Sequence, residues 1–284
     1  FVLAGLMLLL VHLSLRPVAR LIQGAQRIGE GQYDDRIEVA SGDEVGQLAE
    51  PCQDGFAAHA PGERVALLCS HCQPGITEDM MVRCLAADYE RIAEVTHQLT
   101  ERLTAATDAH LTCPHGTDLK LPLGGIDAIA STGLLREPGQ GGNLPSGEAY
   151  LMPVEGGTEG VLYVDGSMAD VGVLDTPLRF EIEKGRAVDI SGNPGAEGLA
   201  KALDAHGELA RSVAELGVGT NDCAQITGMV LEDEKVAGTV HVAFGNNVGM
   251  GGTVDVPIHL DGVLRKPTLT LDGEVVVDGG RFVG

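Results

Sequence analysis

Near the C-terminal end of the chain, His259 and Asp261 stand two residues apart in DVPIHLDG (255–262). In an extended backbone this spacing points an imidazole and a carboxylate to the same face. That pairing suits a metal ion or a surface ion pair. Residues 255–258 lead in as a strand would, and Gly262 is expected to end it. A second imidazole, His241 of GTVHVAFGNN, sits in an apolar strand pattern, where a buried and satisfied ring is the ordinary outcome. Two acids lie beside small residues that let a backbone approach a ligand: Glu148 in GNLPSGEAYLMP, at a loop-to-strand boundary, and Glu215 in AELGVGTN, ahead of a glycine loop. Two histidines, one aspartate and two glutamates form the donor inventory of a carboxylate-rich divalent-metal site. Nitrogen and oxygen donors suit Zn, Co, Mn or Fe. Five donors exceed what one catalytic metal takes while keeping a position open, and would serve two metals sharing a bridging carboxylate.

Other motifs carry less. GNNVGMGG lacks the Lys-Ser/Thr of a phosphate loop, no G-x-G-x-x-G precedes a helix, and no G-x-S-x-G elbow is present. EDEK (232–235) reads as a solvated turn. Cys69 and Cys72 of CSHC have zinc-knuckle spacing, but no second pair follows, so reduced thiols are expected there.

The elements that must position the donors fall in the segment 108–284. Short strands separated by glycine turns (GVLYVDG, PTLTLDGEVVVDGG) imply an α+β domain dominated by antiparallel sheet. PLRFEIEKGRAVDISG reads as a hairpin turning at Lys184-Gly185, and one helix is expected from about Ala196 to His206. Ahead of it, within 62–107, PGITEDMMVRCLAADYERIAEVTHQLTERLTAA reads as one long amphipathic helix. Its N-cap is Thr77, Glu78 and Asp79 suit the positive end of its dipole, and Leu85, Tyr89, Ile92, Leu99 and Leu103 form its apolar stripe.

The start of the chain differs in character. FVLAGLMLLLVHLSL (1–15) is shorter than the roughly 20 residues a helix needs to cross a bilayer. It begins with Phe, and reads as part of a transmembrane helix cut by the start of the sequence. Arg16 and Arg20 follow it, as expected on a cytoplasmic flank. Residues 16–50 resemble a HAMP domain, the four-helix linker between membrane helices and cytoplasmic outputs, through Pro17, the connector GEGQYDDRI and DEVGQLAE. The segment implies a membrane-anchored chain with its catalytic part in the cytoplasm. Over 284 residues the net charge of −22 argues against a nucleic-acid partner, which calls for a basic footprint.

GNLPSGEAYLMPVEG, ELGVGTN, EDEKVAGTVHVAFGNN and DVPIHLDGVLRKPTLTLDG, in this order, resemble the thermophilic metallo-aminopeptidases known as aminopeptidase T, from about residue 62 to the C-terminus. The resemblance implies a hydrolase that removes N-terminal residues from peptides with two divalent ions (Zn, Co or Mn). Its metal ligands would be Glu148, Glu215, His241, His259 and Asp261, with Glu215 bridging and Glu148 doubling as the catalytic proton shuttle. It also leaves a homodimer open. Residues 62–107 would be the remnant of a longer N-terminal α/β domain. The tyrosine that follows the third-motif histidine in characterised peptidases has no counterpart in GNNVGM (245–250), so a proton donor is either absent or supplied by another residue. The resemblance extends to ring-opening dioxygenases of hydroxypyridines, which hold one iron with two histidines and an aspartate, here His241, His259 and Asp261. A third reading is a HAMP-linked protein whose C-terminal part binds a metal or ligand without catalysis.

Overall fold

A computed structural model describes residues 77–135 and 142–283. The expected membrane segment, the HAMP-like helices and the Cys69/Cys72 pair lie outside the described residues. The long helix expected from Pro74 onward is two helices, α1 (Glu78–Leu85) and α2 (Tyr89–Ala105). Thr77 caps α1, its hydroxyl accepting from the Met80 N–H at 3.2 Å. The chain breaks because Asp88 is a second N-cap, its side chain accepting from the Arg91 N–H at 3.2 Å. A cap residue takes non-helical backbone angles, so one at this position ends the helix before it. The stripe of α2 is buried as its spacing implied, through Ile92, Leu99 and Leu103.

Fifteen strands follow among the described residues: β1 (Asp108–Thr112), β2 (Asp118–Pro122), β3 (Ile129–Ser131), β4 (Glu148–Leu151), β5 (Glu159–Val164), β6 (Ser167–Met168), β7 (Gly172–Val173), β8 (Leu178–Glu183), β9 (Arg186–Ser191), β10 (Val213–Gly219), β11 (Val240–Gly245), β12 (His259–Leu264), β13 (Thr268–Leu271), β14 (Glu274–Asp278) and β15 (Arg281–Phe282). Helix α3 (Ala196–Asp204) precedes β10, and a short α4 (Val230–Asp233) precedes β11. The β8–β9 hairpin turns at Lys184-Gly185, both with positive φ (49° and 72°), which matches the right-handed twist of the strands it joins.

The strands form two antiparallel sheets, in the orders β15-β14-β13-β1-β2-β5-β8-β9 and β3-β4-β10-β11-β12-β6-β7. Alternate residues of both enter one core: Leu111, Leu119, Leu162 and Phe180 from the first, Leu151, Leu216, Val242 and Leu264 from the second. Phe180 of β8 stacks on Phe244 of β11, ring centroids 4.8 Å apart at 19°. The antiparallel-rich α+β fold is as the sequence implied. The central strands β10 and β11 are buried along their whole length, so polar residues on their second face must find partners inside the protein.

Removing the inter-sheet ring should be costly. Phe180→Ala is expected to lower unfolding stability by about 3–5 kcal/mol, the range for deleting a buried aromatic, measured by urea denaturation; a loss below about 1 kcal/mol would show that the core collapses around the gap.

Candidate metal centre

Strand register, more than any local motif, assembles the site. Tyr150 of β4 lies opposite Gly217 of β10, which lies opposite His241 of β11. Glu215 is opposite Ala243, and Ala243 opposite Asp261; Glu148 pairs with Gly219, and His259 with Gly245. Residues paired directly across an antiparallel ladder share a face. All five expected donors therefore project from the same side of one sheet. Their opposite-face neighbours, including Ala149, Leu216, Val242 and Leu260, point into the core.

Two glycines make the face passable. A Cβ on Gly217 would lie 2.0 Å from His241 Nε2, so the imidazole lies over that residue. A Cβ on Gly219 would lie 2.2 Å from the Val236 carbonyl oxygen, so residues 234–236 rest directly on β10. The lead-in to β12 departs from expectation. Residues 255–258 are not strand; β12 starts at His259 and continues through Gly262 to Leu264. Gly262 marks a close approach, since a Cβ there would meet Val164 Cγ2 at 2.8 Å.

Glu215 is central. His241 Nε2 lies 3.1 Å from its Oε1 and His259 Nε2 lies 3.4 Å from its Oε2. Glu148 Oε2 is 3.5 Å from His241 Nε2, and Asp261 Oδ1 is 3.5 Å from His259 Nε2. Donor atoms within 4.8 Å of one another come from Glu148, Glu215 and His241, from Glu215, His259 and Asp261, and from Glu234, His241 and Asp261. His259 Nδ1 donates to the Asn246 carbonyl at 2.7 Å, which turns Nε2 toward the carboxylates. The side chain of His241 is fully buried, whereas a third of the His259 side chain is open.

Three buried atoms here have no hydrogen-bond partner: Glu148 Oε2, His241 Nδ1 and Asp261 Oδ1. Buried polar atoms are almost always paired. Asp261 Oδ1, unpaired beside His259, fits the demand of a bound cation, and Glu148 Oε2 stays free beside His241. Beside the cluster a cavity of about 450 Å³ is lined by Tyr150, Asn246, Asn247, Met250, Ile258 and His259, among others.

The sequence reading missed Lys235. EDEK is not a solvated turn: Glu232, Asp233 and Lys235 are fully buried. Burial is possible because every charge is met. Glu232 accepts from Arg83 Nη1 at 2.5 Å and from the Gln225 N–H at 2.8 Å. Asp233 accepts from the Thr227 and Gly228 N–H groups. Lys235 Nζ donates to Glu148 Oε1 at 2.6 Å and to Glu234. The signal available was the run of three acids and a lysine leading straight into the apolar strand VAGTVHVAF.

The charges set the protonation of the metal-free site. Burial alone would weaken proton binding by the imidazoles, but the Glu215 hydrogen bond raises His241 to about 9. The adjacent Asp261 and Glu215 likewise outweigh burial and raise His259 to about 12. Glu215 is held below the usual carboxylate range by its two imidazole partners, against the effect of burial. Burial raises Glu234. Lys235 is held in its charged form by Glu148 and Glu234 although it is buried. Burial lifts the Tyr150 phenol to about 12.

The pattern of the 2,5-dihydroxypyridine 5,6-dioxygenase family matches residues 60–284. The chain belongs to this family. A curated member, the 2,5-dihydroxypyridine 5,6-dioxygenase of Pseudomonas putida, is 30% identical over 225 residues, which are 73% of this chain and 59% of the relative. The chain thus spans about three fifths of the relative's length. The solved structure of 2,5-dihydroxypyridine dioxygenase from Pseudomonas putida KT2440 is similar with a TM-score of 0.66 at 27% identity, covering 72% of this chain and 62% of that one. AmpT from Thermus thermophilus is similar with a TM-score of 0.51 at 20% identity, covering 86% of this chain and 61% of that one, a likeness of fold alone. The HAMP pattern matches residues 9–50, beginning inside the expected membrane segment, and gives the chain a membrane and signalling context. No helix among the described residues is long and apolar enough to cross a membrane.

Membership in the dioxygenase family overturns the two-metal aminopeptidase reading and its peptide substrate. The peptidase resemblance followed the architecture that AmpT shares with this family.

Two outcomes follow. Gly217→Ala should displace the His241 ring and weaken metal binding about 10- to 100-fold, the effect of disturbing a ligand's immediate support; calorimetric titration with Zn(II) measures it, and unchanged affinity would mean the ring yields without loss. Because the metal-free imidazoles hold protons, metal uptake should release them, and affinity should rise as pH climbs toward their raised values. Titration in two buffers of different ionisation enthalpy reads the proton count, and a buffer-independent heat would contradict it.

Proposed function

We propose that the chain is an iron-dependent dioxygenase that opens the ring of a dihydroxypyridine. The observation that carries the reading is the family match over residues 60–284, with a curated relative named for this reaction. His241, His259 and Asp261 would hold the metal, a two-histidine, one-carboxylate set that leaves positions open for substrate and dioxygen. When bound, iron supplies the redox chemistry that lets dioxygen react with the ring. Glu215, whose carboxylate faces both Nε2 atoms, would add negative charge beside the metal. Glu148, with Oε1 taken by Lys235 and Oε2 free, is situated to accept a substrate hydroxyl proton at Oε2. The cavity beside His259 offers apolar walls from Met250 and Ile258 and polar groups from Tyr150 and Asn246, which suit a flat, hydroxylated heteroaromatic ring. The HAMP match supports a membrane-tethered chain with this site on the cytoplasmic side.

Anaerobically iron-loaded protein should consume dioxygen and 2,5-dihydroxypyridine in equal amounts, followed by an oxygen electrode and loss of the substrate's ultraviolet band. Removing the metal with a chelator should abolish both signals, and His241→Ala should lower turnover at least about a hundredfold. Iron-loaded wild-type protein that consumes neither reactant would sink the reading.

A further inference from the structure

Residues 246–258 form an arch between β11 and β12, and three observations show how it is held. It is knitted around Asn247, which is only 1% exposed. Its Oδ1 accepts from the Val254 N–H at 2.9 Å, and its backbone carbonyl accepts from the N–H groups of Met250 and Gly252. A Cβ on Gly252 would strike this amide at 2.2 Å. The arch is therefore tied together around this one side chain. Its descending limb is anchored by Val254 and Val256 in the core. Its turn is tied from outside by one carboxylate. Glu155 Oε1 accepts from the Thr253 N–H at 2.6 Å and from Asn247 Nδ2 at 2.9 Å, and Oε2 accepts from Thr253 Oγ1 at 2.6 Å.

Glu155 is mounted on a firm base. It sits in the β4–β5 turn, where the Val154 N–H bonds the Pro122 carbonyl and the Gly157 N–H bonds Val154. The neighbouring Gly156 packs against Gly185 of the β8–β9 turn, so closely that a Cβ on Gly185 would lie 2.8 Å from it. The arch in turn carries Asn246, whose carbonyl accepts from His259 Nδ1, and it supplies most of the cavity wall.

We propose that Glu155 is a positioning residue that pins the arch to the first sheet, and through it fixes the orientation of His259 and the shape of the cavity. The proposal rests on reading the cluster as a metal site and the cavity as the substrate site. Its reach is indirect: Glu155 acts on Asn247 and Thr253, and the arch passes the constraint to Asn246 and His259. Three donors converge on the Glu155 carboxylate and hold it below the usual carboxylate range.

The full chain is titrated with Co(II), with affinity and the visible d–d spectrum recorded well below the melting temperature. KM and kcat of the iron form are measured alongside. Glu155→Ala is expected to weaken Co(II) binding by about three- to tenfold, below the range for a ligand's direct partner, to alter the spectrum, and to raise KM more than it lowers kcat. Glu155→Gln keeps an acceptor for the Thr253 N–H and should fall between, and Thr253→Val should reproduce part of the shift if Glu155→Ala folds poorly. Wild-type Co(II) affinity and spectrum in Glu155→Ala or, should that variant not fold, in both milder variants would overturn the positioning role, even with a lowered melting temperature. Wild-type protein that binds no Co(II) would overturn the metal-site reading, and the proposal with it.

Discussion

Three strand carboxylates, Glu148, Glu215 and Asp261, and Glu234 of the segment resting on β10 are almost wholly withdrawn from water. A lone buried charge costs several kcal/mol even after the protein relaxes, so the architecture around them is an arrangement of cations. Lys235 meets Glu148 and Glu234, and the two imidazoles meet Glu215. Glu148 Oε2, beside His241, and Asp261 Oδ1, beside His259, stay without a hydrogen-bond partner. The protein neutralises most of its buried charge with its own groups and leaves a remainder that a cation or a proton can satisfy.

The sheet supports this because its central strands leave the donors little freedom. β10 and β11 are covered on both faces, and their ladder fixes which residue faces which. The missing side chains of Gly217 and Gly219 matter as much as those present. One glycine admits the His241 ring, and the other admits the backbone that carries Lys235. Precision at the site is thus a property of the ladder and its gaps, and interactions held this way need little rearrangement when charge changes.

Much of this frame was legible in the sequence. Period-two spacing put His259 and Asp261 on one face, the Lys184-Gly185 turn closed its hairpin, and Thr77 capped its helix. What escaped depended on long-range partners. The break before Tyr89 needed Asp88 to be recognised as a cap inside an unbroken apolar stripe. Buried EDEK looked like solvated charge because its partners, Arg83 and Glu148, lie 149 and 87 residues away from Glu232 and Lys235. The reaction escaped for another reason. Imidazoles and carboxylates at these positions suit hydrolysis or oxygen chemistry alike, so the donor list could not choose between them. Similarity along the whole of residues 60–284 assigns the family.

Access to the donors is uneven, and this bears on where chemistry can occur. His241 is sealed under the sheet and the 234–236 segment, whereas His259 lies at the rim with the cavity beside it. His259 faces that cavity together with Asn246, whose carbonyl orients the imidazole. The carbonyl that orients His259 and most of the cavity wall are therefore parts of one arch. The closed side keeps His241, Glu148 and Lys235 buried in a low-dielectric environment where their electrostatic effect is strongest.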